Sequence, residues 1–114
     1  INDYCLKNKK ILISAAINGF DGQIFNFNFK KRGPCFRCFM PQAPENEVNC
    51  ETSGILSTLA GLAGTMQANE VIKTILKSKE NIRKKMIIFN SLSSNFRKIK
   101  IKINSKCINK CSKK

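Results

Sequence analysis

At 114 residues the chain has room for one domain and too few for two comfortable ones, and 42% hydrophobic with 25% charged residues is ordinary for a globular fold. Histidine is absent, which excludes a Ser-His-Asp or Cys-His nucleophile pair, an HExxH metal site and a His-Cys-Cys deaminase centre. Lysine and arginine total 21 against 7 acids, a net charge of +14. Residues 71–114 carry +13 of it, residues 1–32 carry +4 and residues 33–70 carry −3. A basic region of this kind can mark a nucleic-acid, membrane or acidic-protein partner. Here Lys, Asn and Ile are heavily used throughout and the lysines are scattered, so the charge reads as composition, and no nucleic-acid partner is expected. Neither GxGxxG nor GxxxxGK[ST] occurs; Gly61 and Gly64 form only an isolated GxxG inside an apolar run. The most apolar stretch, residues 54–66, is shorter than the roughly 20 residues a bilayer needs. No signal-peptide pattern precedes it. The expectation is a soluble protein of the cytoplasm or an organelle stroma or matrix, with no membrane partner, and the start at Ile1 points to a fragment or processed chain.

Residues 1–8 read as the end of a helix, and Ile11 to Ala16 as a short buried strand. After a turn at Asn18-Gly19, residues 23–31 alternate, with Phe25, Phe27 and Phe29 on one face and Asn26, Asn28 and Lys30 on the other. That is the period of a half-buried strand. Residues 32–53 hold all three prolines and read as irregular. Residues 54–77 carry apolar or small side chains at 55, 56, 59, 62, 63, 66, 68, 71, 72, 75 and 76, which predicts a long helix buried on most of its surface, capped by Thr52 or Ser53. Gly61, Gly64 and Ala68 make a small-residue stripe on it. Met86 to Phe89 reads as a buried strand. Phe96 to Ile103 alternates, with Ile99, Ile101 and Ile103 inward and Lys98, Lys100 and Lys102 on the outside of a solvated or edge strand. The order strand, strand, loop, long helix, strand, strand gives an α/β layer structure with antiparallel pairing and no repeated βαβ unit.

Six cysteines occur, and two pairs are close: Cys35 with Cys38, and Cys107 with Cys111. Zinc takes four thiolates in a tetrahedron, and a CxxC turn places two sulfurs on one side of the metal. Two such turns meeting would close the shell, and a closed shell is structural rather than catalytic. Gly33-Pro34 supplies the tight turn, and Arg32, Arg37, Lys106 and Lys110 would offset the surplus negative charge. Disulfides, or a redox CxxC, are the alternatives that spacing leaves open. Disulfides need an oxidising compartment, for which there is no secretory signal. The 68 residues between the pairs exceed the span of a compact zinc ribbon.

These residues resemble a known family. Ser14-Ala-Ala-Ile-Asn-Gly-Phe-Asp-Gly-Gln23 is similar to the segment ending in Gly-Phe-x-Gly-Gln that follows a strand in ThiF/MoeB/HesA adenylyltransferases. Pro34-Cys-Phe-Arg-Cys-Phe-Met-Pro41 resembles their PCYRCLxP knuckle. Asn49-Cys50, Gly54-Ile-Leu, then Gly61, Gly64 and Gln67-Ala-Asn-Glu-Val-Ile-Lys73 resemble their crossover-loop cysteine and the helix after it. Phe89-Asn90 with Phe96-Arg97 resembles their FD…FR strands, and Ile1-Asn2-Asp3-Tyr4-Cys5 their (I/L)N..C helix. The motifs occur in the family's order over essentially the whole chain.

The resemblance implies that residues 1–114 are one domain, the C-terminal part of a ThiF-type Rossmann-like fold, with a mixed sheet, a long buried helix and a four-cysteine zinc clasp. It implies ATP-driven adenylation of the C-terminal Gly-Gly carboxylate of a ubiquitin-like sulfur carrier, for thiamine or molybdopterin synthesis, by an enzyme that is usually a homodimer. Zinc would be held by Cys35, Cys38, Cys107 and Cys111. The groups that bind ATP and magnesium would lie in an upstream half, so this chain alone would not catalyse. Cys50 becomes the candidate thioester or acyl-persulfide cysteine; a helix start near Ser53 would lower its pKa while Glu45, Glu47 and Glu51 would raise it. Gln23 and Arg37 are candidates to line a site. The chain departs from the family pattern at Ser57-Thr58, where Gly-Pro is usual, at Asn90 for Asp, and in a final CxxxC for CxxC. Two other readings stand beside this one: a non-catalytic, zinc-stabilised remnant that docks the carrier, and a zinc-stabilised basic module for nucleic acid.

Overall fold

The computed structural model describes residues 1–42 and 54–111. Short apolar runs and alternating apolar residues build four strands, β1 (Ile11–Asn18), β2 (Asp21–Asn28), β3 (Lys85–Asn90) and β4 (Asn95–Lys100), paired antiparallel in the order β1-β2-β3-β4. The mixed character expected of the sheet reduces, among the described residues, to one isolated parallel bridge between Gly19 and Ile55. Helix α1 (Asn2–Lys7) precedes the sheet, and the single turn α2 (Phe36–Phe39) stands where sequence suggested only irregular structure. Helix α3 (Ser57–Ile75) crosses one face of the sheet.

Each strand sends alternate side chains to opposite faces, and both faces of the central strands are covered. On one side Ile24 and Phe89 pack with Leu59 and Ala63 of α3 and with Ile82. On the other, Phe25, Phe27, Phe29, Met86 and Ile101 pack against four cysteines. Fully burying one such aliphatic or aromatic side chain contributes roughly 1.5–3 kcal/mol, so these two clusters are the main source of cohesion. Phe25 lies 5.6 Å from the rings of Phe27, Phe36 and Phe39. β2 is therefore buried on both faces rather than half-buried. Asn26, expected at the surface, is 2% exposed, because α3 lies over it and supplies polar partners.

Gly22 faces Phe89 directly across the β2–β3 pair, and a Cβ there would fall within the Phe89 ring, so only glycine fits. Gly19, with φ of +58°, turns β1 into β2 in the left-handed region open to glycine. Of the isoleucines expected to face inward, Ile101 is buried and Ile103 half-buried against the cysteine cluster, whereas Ile99, in the edge strand β4, is exposed. Lys98, Lys100 and Lys102 are exposed, as expected of an edge strand.

Helix α3 begins later than its pattern suggested. Its N-cap is Leu56, which makes no side-chain cap; the proposed caps Thr52 and Ser53 lie outside the described residues. It closes with the amide of Ser78 on the carbonyl of Lys73 and that of Lys77 on Thr74, Lys77 taking φ of +55°. This is the Schellman arrangement that satisfies the last carbonyls. Burial is confined to one stripe, Leu59, Ala63 and Glu70, rather than most of the surface. The opposite face presents Gly61, Gly64, Ala68, Val71, Ile72 and Ile75 to solvent, and among the described residues nothing beyond the helix's own neighbouring backbone lies within 4 Å of a Cβ placed at either glycine. A helix apolar on most of its surface is built to be covered on both sides; among the described residues one side is covered.

Candidate metal centre

On the face of the sheet away from α3, the two cysteine turns meet. Cys35 caps the single turn of α2 and Cys38 lies within it, fixed by the hydrogen bond from the Cys38 amide to the Cys35 carbonyl, 3.0 Å. Pro34 precedes them and is buried. Cys107 and Cys111 flank a tight turn in which the Lys110 amide bonds the Cys107 carbonyl at 2.8 Å, with Lys110 at φ of +50°. All four cysteines are buried, and their sulfurs lie within 4.8 Å of one another. Cys35 Sγ is 3.7 Å from Cys107 Sγ, and Cys107 Sγ is 3.9 Å from Cys111 Sγ.

These separations test the readings that spacing left open. A tetrahedron with metal–sulfur bonds near 2.3 Å has sulfurs about 3.8 Å apart. A disulfide holds them near 2.05 Å. Every described cysteine is free, and the four sulfurs stand close enough together that they could hold one metal ion between them. Cys5 sits apart, half-buried on the edge of the same cluster.

Protonation is uneven across the four. Burial opposes ionisation of Cys35, yet hydrogen bonds from Asn109 and from its cysteine neighbours outweigh it and lower its pKa. Burial pushes the thiols of Cys107 and Cys111 up, and for Cys111 the nearby Cys35 adds to the rise. Metal binding replaces protons on such thiols and so offsets the cost of burying their charge.

Polar groups surround the thiols. Asn109 Nδ2 donates to Cys35 Sγ at 3.6 Å and to Asp3 Oδ1 at 2.9 Å. Arg37, expected to offset thiolate charge, donates to Asp3 through Nε and NH2 at 3.0 and 2.8 Å, while standing beside Cys35 and Cys107. Asn2 Oδ1 accepts from the Phe36 amide at 3.0 Å, anchoring the start of α2. The bonds from Arg37, then Asn109 and Asn2, hold the Asp3 carboxyl well below the usual carboxylate range. None of Asn2, Asp3 or Asn109 was singled out by sequence as a site residue. The opening resemblance included Asn2 and Asp3 without giving them a role.

The remaining sequence candidates fall elsewhere. Cys50 lies outside the described residues. Gln23 is half-buried in β2 between Ala16 and Ile88 and reaches none of the cysteines' described partners. The scattered lysines converge in the fold: Lys30, Lys31, Lys77, Lys79, Lys84 and Lys85 line one cleft. No helix of the described residues is long and apolar enough to cross a membrane.

A small antiparallel sheet carries one long helix on one face and, on the other, four buried thiols that could hold a metal ion. The pattern that defines the ThiF family matches residues 1–109, and the chain belongs to that family. It is 38% identical over 104 residues to the adenylyltransferase and sulfurtransferase MOCS3 of Drosophila virilis, covering 90% of this chain and 23% of that protein. It is 40% identical over 111 residues to a probable molybdopterin-synthase adenylyltransferase of Pyropia yezoensis, covering 95% of this chain and 29% of the relative. The chain thus spans about a quarter of these relatives' length. Among solved structures, the microcin C7 biosynthetic enzyme MccB, in complex with N-formylated MccA, superposes with a TM-score of 0.76 at 18% identity, over 96% of this chain and 36% of that one. MccB of E. coli alone gives 0.74 at 16% identity, over 96% and 34%. At that identity the likeness concerns the fold.

Proposed function

We propose that this chain is the C-terminal portion of a ThiF-type adenylating domain, in a protein that uses magnesium-ATP to activate the C-terminal Gly-Gly carboxylate of a ubiquitin-like sulfur carrier. The observation that carries this reading is the 38–40% identity, over 90–95% of the chain, to relatives described as adenylyltransferases. In such a reaction the carboxylate attacks the α-phosphorus of ATP, pyrophosphate leaves, and the mixed anhydride becomes open to a thiolate. Cys50 is the residue we assign to attack that anhydride as a thiolate, forming a thioester as AMP leaves. It would form an acyl persulfide instead only if a separate persulfide donor had first placed a sulfane sulfur on Cys50, whose terminal sulfur then makes the attack.

Cys35, Cys38, Cys107 and Cys111 hold zinc in this reading. The metal's contribution is to cross-link the knuckle to the segment after β4; a shell of four protein ligands has no open position for chemistry. ATP and magnesium are bound by an upstream half. Triphosphate binding needs converging backbone amides with a cation and a metal-holding carboxylate. The glycines here stand in turns and loops, in β2 and in α3, and Asp3 is committed to Arg37 and Asn109. The uncharged outer face of α3 is the surface we assign to that half or to a second copy in a homodimer. The lysine cleft would attract polyanions only through a salt-screened field, so we assign it no nucleic-acid site.

The test is pyrophosphate exchange. Protein from the full coding sequence is expected to exchange labelled pyrophosphate into ATP when given a carrier ending in Gly-Gly, and residues 1–114 alone are not. Exchange by residues 1–114 would overturn the assignment of ATP to an upstream half. No exchange by the full-length protein would leave a non-catalytic remnant.

A further inference from the structure

The metal ligands come from two turns far apart in sequence, and nothing in the covalent chain keeps those turns together when a thiolate lets go. α1 does so in the fold. Asp3 accepts three bonds from Arg37, which lies between Cys35 and Cys38, and one from Asn109, which lies between Cys107 and Cys111. Asn109 in turn reaches the sulfur of Cys35, and Asn2 fixes the first amide of α2. One short helix is thereby bonded to both halves of the tetrathiolate.

We propose that α1 is a clasp for the metal centre: Asp3 locks the two cysteine turns to each other through Arg37 and Asn109, and this lock sets how slowly the metal leaves. The inference rests on the reading of these four cysteines as a zinc site. Release of a chelated ion proceeds one thiolate at a time, and the longer Cys107–Cys111 ring is the weaker chelate. A detached thiolate that is still held in place rebinds before the second lets go. Asp3 holds the turn that carries it, with paired, charge-assisted bonds to a guanidinium that resist fraying better than a single surface contact. The Asn109 amide also draws electron density from Cys35 sulfur, as a donor to a metal-bound thiolate does. Asp3, Arg37 and Asn109 are positioning residues; none of them would touch the ion.

The experiment uses zinc-loaded protein expressed from the full coding sequence, with excess chromophoric chelator to read the release rate. Asp3→Asn and Asn109→Ala are compared with wild type and with Lys98→Gln on β4 as a control. Loss of outer groups around a metal commonly weakens binding 10- to 100-fold. Zinc release is therefore expected to quicken by about 10-fold or more in both variants and not in the control, with the unfolding midpoint of the metal-free protein unchanged. In cobalt-substituted protein, Asn109→Ala is expected to move the sulfur-to-metal charge-transfer band to lower energy. Release at the wild-type rate would overturn the clasp. So would a fall in metal-free stability that accounts for the faster release. If wild-type protein takes up no zinc, the metal reading itself fails, a result distinct from a zinc site whose release ignores Asp3.

Discussion

Replacing Cys38 with serine is expected to yield protein that emerges from a chelating wash without stoichiometric zinc, where wild type retains it. Structural zinc supplies roughly 10–16 kcal/mol of apparent binding energy in small zinc-finger peptides, and that energy is coupled directly to folding. Serine keeps the volume but presents a hydroxyl that stays protonated and binds zinc poorly, so the shell falls from four thiolates to three. The consequence reaches beyond the site because Cys38 lies in the cluster that contains Phe25, Phe27 and Ile101. Without the metal, the segment from Ile101 to Cys111 keeps its Asp3–Asn109 tie but loses its cross-link to α2. Proteolysis should then cut in that segment well before the sheet opens. Retention of one tightly held zinc by Cys38→Ser would exclude Cys38 as a ligand.

The second large effect is expected at Glu70. This carboxylate is 1% exposed on the sheet-facing stripe of α3. Its Oε2 accepts from Asn26 Nδ2 at 3.2 Å and from the Ile82 amide at 3.0 Å, and its Oε1 faces the ammonium of Lys73. Asn26 also donates to Thr74 at 2.9 Å, so one network ties α3 to the centre of β2 and to the loop before β3. Glu70→Ala would remove the acceptor from two buried donors and leave a void beside Ile82. An unpaired buried donor costs about 1–3 kcal/mol, so a total loss of about 2–4 kcal/mol is expected. Glu70→Gln keeps one acceptor oxygen in place and should lose about half as much or less. Urea unfolding of the two variants measures this directly. A Glu70→Ala protein within about 0.5 kcal/mol of wild type would show that the network is not what holds the helix down.

Glu70 also shows where sequence reading stops. Its position was available: Leu59, Ala63, Met66 and Glu70 follow one helical stripe, so an acid stood among core positions. Its partner was not, because Asn26 alternates with phenylalanines and such a pattern looks like a solvated face until a helix is known to cover it. The strands themselves were legible, since the phenylalanines of β2 alternate, Met86 to Phe89 form a continuous apolar run, and the lysines alternating with isoleucines from Lys98 announce an edge. The start of α3 was not, because apolar residues at 55 and 56 continue the helical pattern although Leu56 turns to bond the Gly19 carbonyl, at 3.2 Å. Nor could periodicity tell that the outer face of α3 finds no cover among the described residues. The four thiols were readable as two close pairs. Their outer bonds were not, because Asp3 and Asn109 are 106 positions apart with no repeat to join them.

In the proposed reading, a tetrathiolate metal closes the C-terminal segment of this ThiF-family chain against its knuckle. X-ray absorption at the zinc edge, with metal analysis of the same sample, tests this most directly. One zinc per chain is expected, surrounded by four sulfurs at about 2.3 Å and no nitrogen or oxygen. A folded protein without metal, a shell containing oxygen, or a Cys35–Cys38 disulfide in place of the site would contradict it.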